Sequence, residues 1–539
     1  MARAGWFKAV VFGLAAAATA AVPVGPAGGQ GRAGDGLAVT GAVQVTTNPD
    51  PARAHVVPWI VRNPDNGTLV IADTENRTRK TVDIYLSTDD GRSWFPGGDP
   101  MLEPWTDSSG DPEANVNHTM AYDRNGDLLL TYQANDRRFS DLPRPDRPRH
   151  IFFTRSTDDG RSWSRPVKVW DAPESPDVPR SAGKRNNRPW VAVDPNDPRR
   201  VYVSWMQWHI NDEPTPSGNK ALLSASSDGG RTWGQPVSLR EGDPQGSYEA
   251  RPAVDRRGTV HTIMAGRAFV APGSVPQGTP APIRTVLYRS STDHGRTWSE
   301  PRQIEEGNAG FAHNRKWGLR ADPNSDTLYA VWYGHPNPRP TLPDDERDIY
   351  LRVSRDSGKT WSDRILVNTE SEPLRGVHHF DPNLSVAPNG RLDIAWFDNR
   401  NSPVPASTTP AVTGFQDVWY TYSDDGGRTF SPAVKVTDRM IDRRYGIWSN
   451  NVDVHAPVGL TSTDEAVYLT WQDSRNGTND GSAEDTYFAT VRHTPAAAAG
   501  TGGDDEPATW LLVGMGLLLG MGLAMLVAVG ARRNAEAAA

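Results

Sequence analysis

Three stretches of the chain end in an acidic residue that is followed, two positions later, by an arginine. They are Glu75 with Arg77, Asp398 with Arg400, and Asp473 with Arg475. Residues i and i+2 of a strand share a side, so each stretch would place a carboxylate beside a guanidinium group. Such groups bind saccharides, and they also form salt bridges between neighbouring units of a fold. Both interpretations stay open at the level of sequence.

Further polar residues stand where apolar runs begin. They are Asn117, His118, Asn187, Arg188, Glu249, Arg251, Arg315, Lys316, His378, His379, Asp381, Asn450, Asn451 and Asp453. His378 and His379 are adjacent and would point to opposite sides of a strand, which disfavours a shared metal ion. Calcium held by Asp398, Asp453 and Asp473 is an open alternative, and no other cofactor is predicted. The sequence has no phosphate-binding loop, dinucleotide fingerprint or Ser-His-Asp signature.

One eight-residue pattern, Ser-x-Asp-x-Gly-x-Ser/Thr-aromatic, recurs six times and indicates what positions these residues. The copies occupy residues 87–94, 156–163, 226–233, 291–298, 354–361 and 423–430, so the spacing is 63–70 residues. Asp and Ser accept hydrogen bonds from the backbone of a tight turn, and Gly supplies a positive φ. Each copy follows one apolar run and precedes another short one. The pattern therefore predicts the turn between the last two strands of a repeated antiparallel unit.

Two further strand-like runs precede every copy, which gives six units. A seventh unit near residues 450–493 lacks the pattern and lacks a fourth strand, which residues 41–47 (GAVQVTT) can supply. The N-terminal strand would then complete the last unit and close the ring, leaving no exposed sheet edge. We therefore predict an all-β propeller of seven blades, with six blades as the alternative.

The eight-residue pattern resembles the Asp box of the sialidase-type β-propellers. The resemblance implies that the boxes lie on the face away from the active site. First strands begin, and second strands end, on the opposite face around the central channel, where sites are commonly built. The family binds a substrate carboxylate with three arginines. A tyrosine activated by a glutamate attacks the sugar, and an aspartate serves as acid and base.

Carried over by position, the resemblance implies roles for Glu249 as the activating glutamate and for Arg267 and Arg315 in the carboxylate clamp. It implies Asp73 or Glu75 as the acid. The family's first arginine is replaced here by the Val56-Val57-Pro58 stretch, and His378 and His379 stand where its tyrosine is expected. Tyr445 is the nearest replacement for the nucleophile. Substrate contacts are expected from Arg188, Arg251, Arg77, Asp398, Arg400, Asp473 and Arg475.

Both ends of the chain carry apolar stretches. Residues 1–29 read as a signal peptide, 30–40 as a linker, 41–493 as the propeller and 494–508 as a stalk. Residues 509–531 read as a transmembrane helix, and the basic residues after it place a cytoplasmic tail at 532–539. The sequence thus predicts a single-pass cell-membrane protein with an extracellular propeller. The chain has no cysteine, so no disulfide contributes to its stability.

The predicted partner is a carbohydrate or a glycoprotein. A net charge of -8 without a basic stripe argues against nucleic acid, and the oligomeric state is left open. One hypothesis is an exo-glycosidase of sialidase type. The other is a non-catalytic propeller that binds a glycan or a protein at the cell surface. Trp208 and Trp332 are expected to offer exposed rings for sugar stacking in either case.

Overall fold

The computed structural model describes fourteen segments of the chain. These are residues 36–77, 80–101, 117–135, 149–170, 185–208, 220–240, 248–267, 284–305, 317–334, 347–368, 377–403, 414–447, 456–478 and 483–493. The described segments contain strands and turns but no α-helix, and none of their elements could cross a bilayer as an apolar helix. The predicted signal peptide, stalk, transmembrane helix and tail lie outside the described residues.

The strands form seven antiparallel units of four, the blades of a propeller. The first strands of blades one to seven are β3 (His55–Arg62), β7 (His118–Tyr122), β11 (Arg185–Val193), β15 (Tyr248–Val254), β19 (Trp317–Ala321), β23 (His379–Val386) and β28 (Gly459–Ser462). The second strands are β4 (Leu69–Glu75), β8 (Leu128–Asn135), β12 (Val201–Trp208), β16 (Val260–Arg267), β20 (Leu328–Gly334), β24 (Leu392–Asp398) and β29 (Ala466–Asp473).

The third strands are β5 (Thr81–Ser87), β9 (Arg149–Ser156), β13 (Lys220–Ser226), β17 (Arg284–Ser291), β21 (Asp348–Ser354), β25 (Phe415–Ser423) and β30 (Asp485–His493). The fourth strands of blades one to six are β6 (Phe95–Pro96), β10 (Val167–Trp170), β14 (Val237–Ser238), β18 (Arg302–Gln303), β22 (Ile365–Leu366) and β26 (Val434–Lys435). A short strand, β27 (Ile441–Asp442), adds to β25.

The N-terminal segment completes blade seven, as predicted for residues 41–47, and a further strand lies at residues 37–39, within the stretch predicted to be a linker. Strands β1 (Leu37–Val39) and β2 (Val43–Gln44) both pair antiparallel with β30. The seven-bladed prediction is confirmed and the six-bladed alternative is wrong. The first strand of blade seven is Gly459–Ser462, and residues 448–455, which include the start of the predicted seventh unit, lie outside the described residues.

The Asp boxes share one turn geometry. In all six, the fourth and fifth residues have positive φ, for example 60° at Asp90 and 82° at Gly91. The box aspartate organises the turn: Asp158 Oδ1 accepts from Ser156 Oγ (2.7 Å) and from the Ser162 N–H (2.8 Å), and its Oδ2 accepts from Ser162 Oγ (2.6 Å). Because each box follows the end of a third strand, all six lie on the face opposite the first-strand starts.

The boxes also join neighbouring blades. Asp159 accepts hydrogen bonds from Asn63 Nδ2 (2.6 Å) and Asn66 Nδ2 (2.9 Å) of blade one. The blades themselves pack through apolar layers of strand residues, of which Trp332, Trp396 and Trp471 are fully buried. The expectation of an exposed ring at Trp332 is therefore wrong, because its position faces this interblade core. The side chain of Trp208 is outside the described part.

Candidate functional site

The starts of the innermost strands surround a depression at the mouth of the channel, which we call the channel depression. Its polar lining is Asn117, His118, Thr119, Arg188, Glu249 and Arg251. Its apolar lining is Val57, Pro58, Trp59, Pro189, Trp190, Ala456 and Pro457. Blades one, two, three, four and seven thus contribute to a single concave surface on the face opposite the Asp boxes.

Backbone bulges aim the innermost residues at the channel. Val57, Arg188 and Asp381 each have a φ of 57–58° and each precedes a proline. The ladder register shifts at the same three points and again at Glu249. A left-handed conformation at a residue other than glycine costs about 1–3 kcal/mol. Bulges redirect side chains in this way, and two of these three strained residues, Val57 and Arg188, line the depression.

Glu249 lies between two arginines in the depression. Its Oε1 is 3.0 Å from Arg188 Nη1, and its Oε2 is 3.8 Å from Arg251 Nη2. All three side chains are at most 5% exposed. The guanidinium of Arg251 also lies over the indole of Trp190, 4.0 Å from the ring centroid. We call Arg188, Glu249 and Arg251 the channel cluster; it carries one net positive charge.

Arg320 of β19 adds to the positive field of this cluster. Burial lowers the pKa of the Arg251 guanidinium, the charge of Glu249 opposes that shift, and the like charges of Arg320 and Arg188 reinforce it. Arg320 was not among the predicted site residues, because its position within β19 gives no sign that it faces blade four. Three guanidinium groups and one carboxylate of the described residues thus influence one another here.

The predicted clamp residues Arg267 and Arg315 are not placed by the structure. Arg267 ends β16, but its side chain is outside the described part, and Arg315 lies outside the described residues altogether. Their roles stay predictions. The channel cluster uses different arginines, Arg188 and Arg251, which the sequence placed among the substrate-binding candidates.

Two of the three acid-x-Arg units form ion pairs inside their own blades. Asp398 Oδ2 accepts from Arg400 Nε (2.8 Å) and Nη2 (2.6 Å), and Arg400 lies 3.8 Å from the ring centroid of Trp419. Asp473 Oδ2 accepts from Arg475 Nε (2.9 Å) and Nη2 (2.7 Å) in the same way. Each unit thus braces the end of a second strand. Saccharide contacts by these four residues stay a prediction, as does calcium, since Asp453 is outside the described part.

The third unit differs, because Glu75 binds backbone groups. Its Oε1 accepts from the N–H groups of Ala54 (3.2 Å) and Arg77 (3.1 Å). Asp73, two residues earlier, contacts His55 Nδ1 (3.1 Å) and accepts from Thr486 Oγ1 (2.6 Å) of blade seven. Blade one therefore places its two candidate acids at the seam with blade seven.

Tyr445, the proposed replacement nucleophile, lies in the turn after β27. It packs on Gly477, where a side chain would overlap the Tyr445 ring, and it does not line the channel depression. The structure therefore does not bring Tyr445 together with the channel cluster. Within the described lining, Glu249 is the single carboxylate.

Sequence reasoning missed Glu484, which is fully buried and directly precedes β30. Burial raises its pKa to about 7, against the opposing charge of Arg443. Its Oε2 accepts from the Ile447 N–H (2.8 Å), and its Oε1 accepts from Gln472 Nε2 (3.3 Å). Gln472 Oε1 in turn accepts from the N–H of Val57 (3.4 Å), which lines the depression. The sequence could have indicated Glu484, because it is an acidic residue where a third strand begins, and third strands begin on the channel face.

Comparisons with known proteins bear on the architecture. No protein-family model matches the sequence, and no curated protein matches it. Among solved structures, a Hadza microbial sialidase, Hz136, is 17% identical with a TM-score of 0.41, over 78% of this chain and 75% of that one. An α-L-arabinanase of Penicillium chrysogenum is 11% identical with a TM-score of 0.43, over 84% and 98%. The phage phi92 endosialidase is 12% identical with a TM-score of 0.43, over 87% and 71%.

At these identities and TM-scores the similarities assign no chemistry to this chain. The architecture rests on its own strand pairing: the chain is a seven-bladed Asp-box β-propeller, which resembles the sialidase-type propellers in its boxes and its ring of four-stranded blades.

Proposed function

We propose that the channel depression binds an acidic glycan, with the carboxylate or sulfate group of the glycan near Arg188 and Arg251. The observation that carries the proposal is the channel cluster: two buried guanidinium groups converge on one buried carboxylate in the lining of the depression. Guanidinium groups bind carboxylates and sulfates through paired hydrogen bonds. Three prolines of the lining, Pro58, Pro189 and Pro457, supply an apolar surface against which a sugar ring packs.

A direct test compares two arginine variants of the full chain. Arg188→Gln removes a charge from the cluster, whereas Arg355→Gln removes a charge on the Asp-box face, where Arg355 donates to the Gly426 carbonyl (2.9 Å). Binding to a set of acidic and neutral oligosaccharides is measured by titration calorimetry, with circular dichroism to show that both variants are folded. We expect acidic oligosaccharides to bind, at least tenfold more weakly to Arg188→Gln and unchanged to Arg355→Gln. Equal affinities for the two variants would contradict the proposal.

A second candidate function is hydrolysis of the bound glycan, and the environment of Glu484 favours it. A carboxyl group with a pKa near 7 can donate a proton at neutral pH, as a general acid must. Glu484 is linked through Gln472 to the rim of the depression, although it does not line it. Glycoside hydrolysis ordinarily needs two carboxyl groups, and Glu249 would be the second.

Fluorogenic sialyl, uronyl and neutral glycosides distinguish the two functions. Turnover by the native chain would establish hydrolysis. Its loss in folded Glu484→Gln with glycan affinity unchanged would show that the reaction requires Glu484, and unchanged turnover would exclude it. Binding without turnover of any glycoside would leave the non-catalytic function. Sialyl glycosides are assayed first, because the specific hypothesis is hydrolysis of sialidase type.

We further propose that the propeller is displayed outside the cell on the predicted helix at residues 509–531. Its uncharged 22-residue stretch at 510–531, followed by Arg532 and Arg533, supports this orientation. Protease added to intact cells should remove the propeller; protection of the propeller until the cells are lysed would contradict the orientation.

A further inference from the structure

Six of the seven second strands share one buried apolar position, and blade one breaks the pattern. The position is the fifth residue of the second strand (the sixth of β29, which begins one residue earlier). In blades two to seven it holds Tyr132, Trp205, Met264, Trp332, Trp396 and Trp471, all with 0% exposure. Each faces an apolar or aromatic partner on the third strand: Phe152, Leu222, Leu287, Tyr350, Trp419 and Tyr487.

In blade one both members of this cross-strand pair are aspartates. Asp73 of β4 is opposite Asp83 of β5, and Asp73 is fully buried. Two carboxylates that replace two packed rings are costly unless a positive charge compensates them, because burial removes their hydration and each repels the other. In blade one, the first strand also brings a histidine to this pair of aspartates.

That histidine is His55 of β3, which is also fully buried. One of its ring nitrogens and one oxygen from each of Asp73 and Asp83 lie within 4.8 Å of one another. Zinc bonds of about 2.0–2.2 Å hold ligand atoms up to roughly 4 Å apart, so ion binding would need side-chain shifts of less than about 1 Å. The three side chains come from three adjacent strands, which fixes their mutual position.

The surroundings of the three side chains leave the ligand atoms available. His55 turns Nδ1 toward Asp73 (3.1 Å), and no hydrogen bond within the described residues holds its Nε2. Hydrogen bonds from two threonines orient the carboxylates. Thr486 Oγ1 donates to Asp73 Oδ2 (2.6 Å), and Thr81 Oγ1 donates to Asp83 Oδ1 (2.8 Å). Outer hydrogen bonds of this kind orient the ligands of metal sites.

We propose that His55, Asp73 and Asp83 form a binding site for a divalent transition-metal ion, with Zn²⁺ as its representative. One imidazole nitrogen with carboxylate oxygens suits zinc and manganese, whereas calcium takes oxygen ligands alone. The site is separate from the channel cluster and does not depend on the proposed glycan binding. Because Asp73 also accepts from Thr486 of β30, the ion would stiffen the seam at which the ring closes.

The test uses the full chain, treated with EDTA and desalted, and titrated with ZnCl₂, MnCl₂ or CaCl₂ by calorimetry. We expect one zinc ion per chain and a melting temperature raised by several degrees. Asp83→Asn should weaken zinc binding at least a hundredfold, because it removes a charged ligand but keeps the His55–Asp73 contact. Asp417→Asn is the matched control: Asp417 is a buried aspartate on the third strand of blade six, and its loss should leave zinc affinity unchanged.

A second measurement needs no variant. Co²⁺ added to the EDTA-treated native chain should give visible d–d absorption that saturates at one ion and is lost on adding zinc. Absence of any zinc or cobalt binding, a response to calcium alone, or equal zinc affinity in native and Asp83→Asn chains would each overturn the proposal.

Discussion

The two faces of the ring differ in how far their residues repeat from blade to blade. On the Asp-box face the same residues make the same hydrogen bonds in six blades, and the turns have the same pair of positive φ angles. On the channel face the innermost residues differ from blade to blade: Val57, Arg188, Glu249 and Asp381 occupy the bulges of blades one, three, four and six. Repetition on one face provides a stable ring, whereas divergence on the other builds a site. Stability and binding should therefore respond separately to substitutions on the two faces.

The largest difference between the effect on stability and the effect on binding is expected from Glu249→Gln. Removing one partner of a buried ion pair leaves charge uncompensated, so the free energy of unfolding should fall by about 3–5 kcal/mol. Affinity for an acidic glycan should be kept or increased, because two guanidinium groups lose their internal anion. Chemical denaturation and calorimetric titration measure the two quantities. A loss of stability and affinity together, in protein that is still folded, would contradict a purely electrostatic role for Glu249.

The next largest effect concerns the box turns. Gly91 has a φ of 82°, and a Cβ atom there would overlap the ring of Phe488 in blade seven. Gly91→Ala combines a strained backbone with overpacking and should cost about 3 kcal/mol. Gly390→Ala is the matched control, since Gly390 has a φ of 90° with open space around it. It should cost about 1 kcal/mol by backbone strain alone. Similar losses in the two variants would show that the interblade contact at Gly91 is unimportant.

The two faces should also differ in pH dependence. Burial raises the pKa of Glu484 to about 7, so the folded chain holds a proton that the unfolded chain releases near pH 4.5. Its contribution to stability should therefore decrease as pH rises from 4.5 to 7, and Glu484→Gln should flatten this part of the profile. Melting temperatures from pH 4 to 8 test it, and parallel profiles of the native and variant chains would show that Glu484 is ionised throughout.

The carboxylates of the Asp boxes should change stability with pH in the opposite direction. Hydrogen bonds from Ser93 and Ser87 lower the pKa of Asp89 to about 2. Stability from such groups is full above the ordinary pKa near 4 and is lost as pH falls toward 2. The acid limb of the melting profile should therefore persist in Glu484→Gln. Its disappearance would mean that the boxes do not contribute to acid sensitivity.

The smallest effect is expected from a single box aspartate. Asp158→Asn keeps one acceptor oxygen but loses part of the hydrogen bonding to Ser156 and Ser162, which should cost about 1 kcal/mol. Glycan affinity should not change, because the box lies on the other face. Denaturation and titration on the same preparation test both statements, and a change in glycan affinity would contradict the independence of the faces.

The sequence predicted the repeated parts of the molecule and missed most pairings between unlike residues. The box spacing was sufficient for the blade count, and the GAVQVTT segment for the closure of the ring, because both depend on local patterns. The Arg188–Glu249 contact depends on bulges and on two blades meeting, and neither leaves a local pattern. Trp332 was misplaced because a tryptophan near a strand end fits a sugar platform and a buried core equally well.

The aspartate pair of blade one could be predicted only in part from the sequence. Comparing the seven second strands position by position shows Asp73 against six large apolar residues, so this signal was present in the sequence. Its partner, Asp83, becomes apparent only when the register of β4 and β5 is known. A repeat protein therefore carries its own comparison set, in which a departure from the pattern marks a candidate site.

The central claim is that the channel depression recognises the negative charge of a glycan. The most direct measurement compares one uronic-acid oligosaccharide with its carboxyl-reduced form, which is neutral but otherwise matched, by calorimetric titration into the full chain at two salt concentrations. We predict at least tenfold weaker binding of the reduced form, and an affinity for the acidic form that decreases with salt. Equal binding of the two forms would contradict the claim.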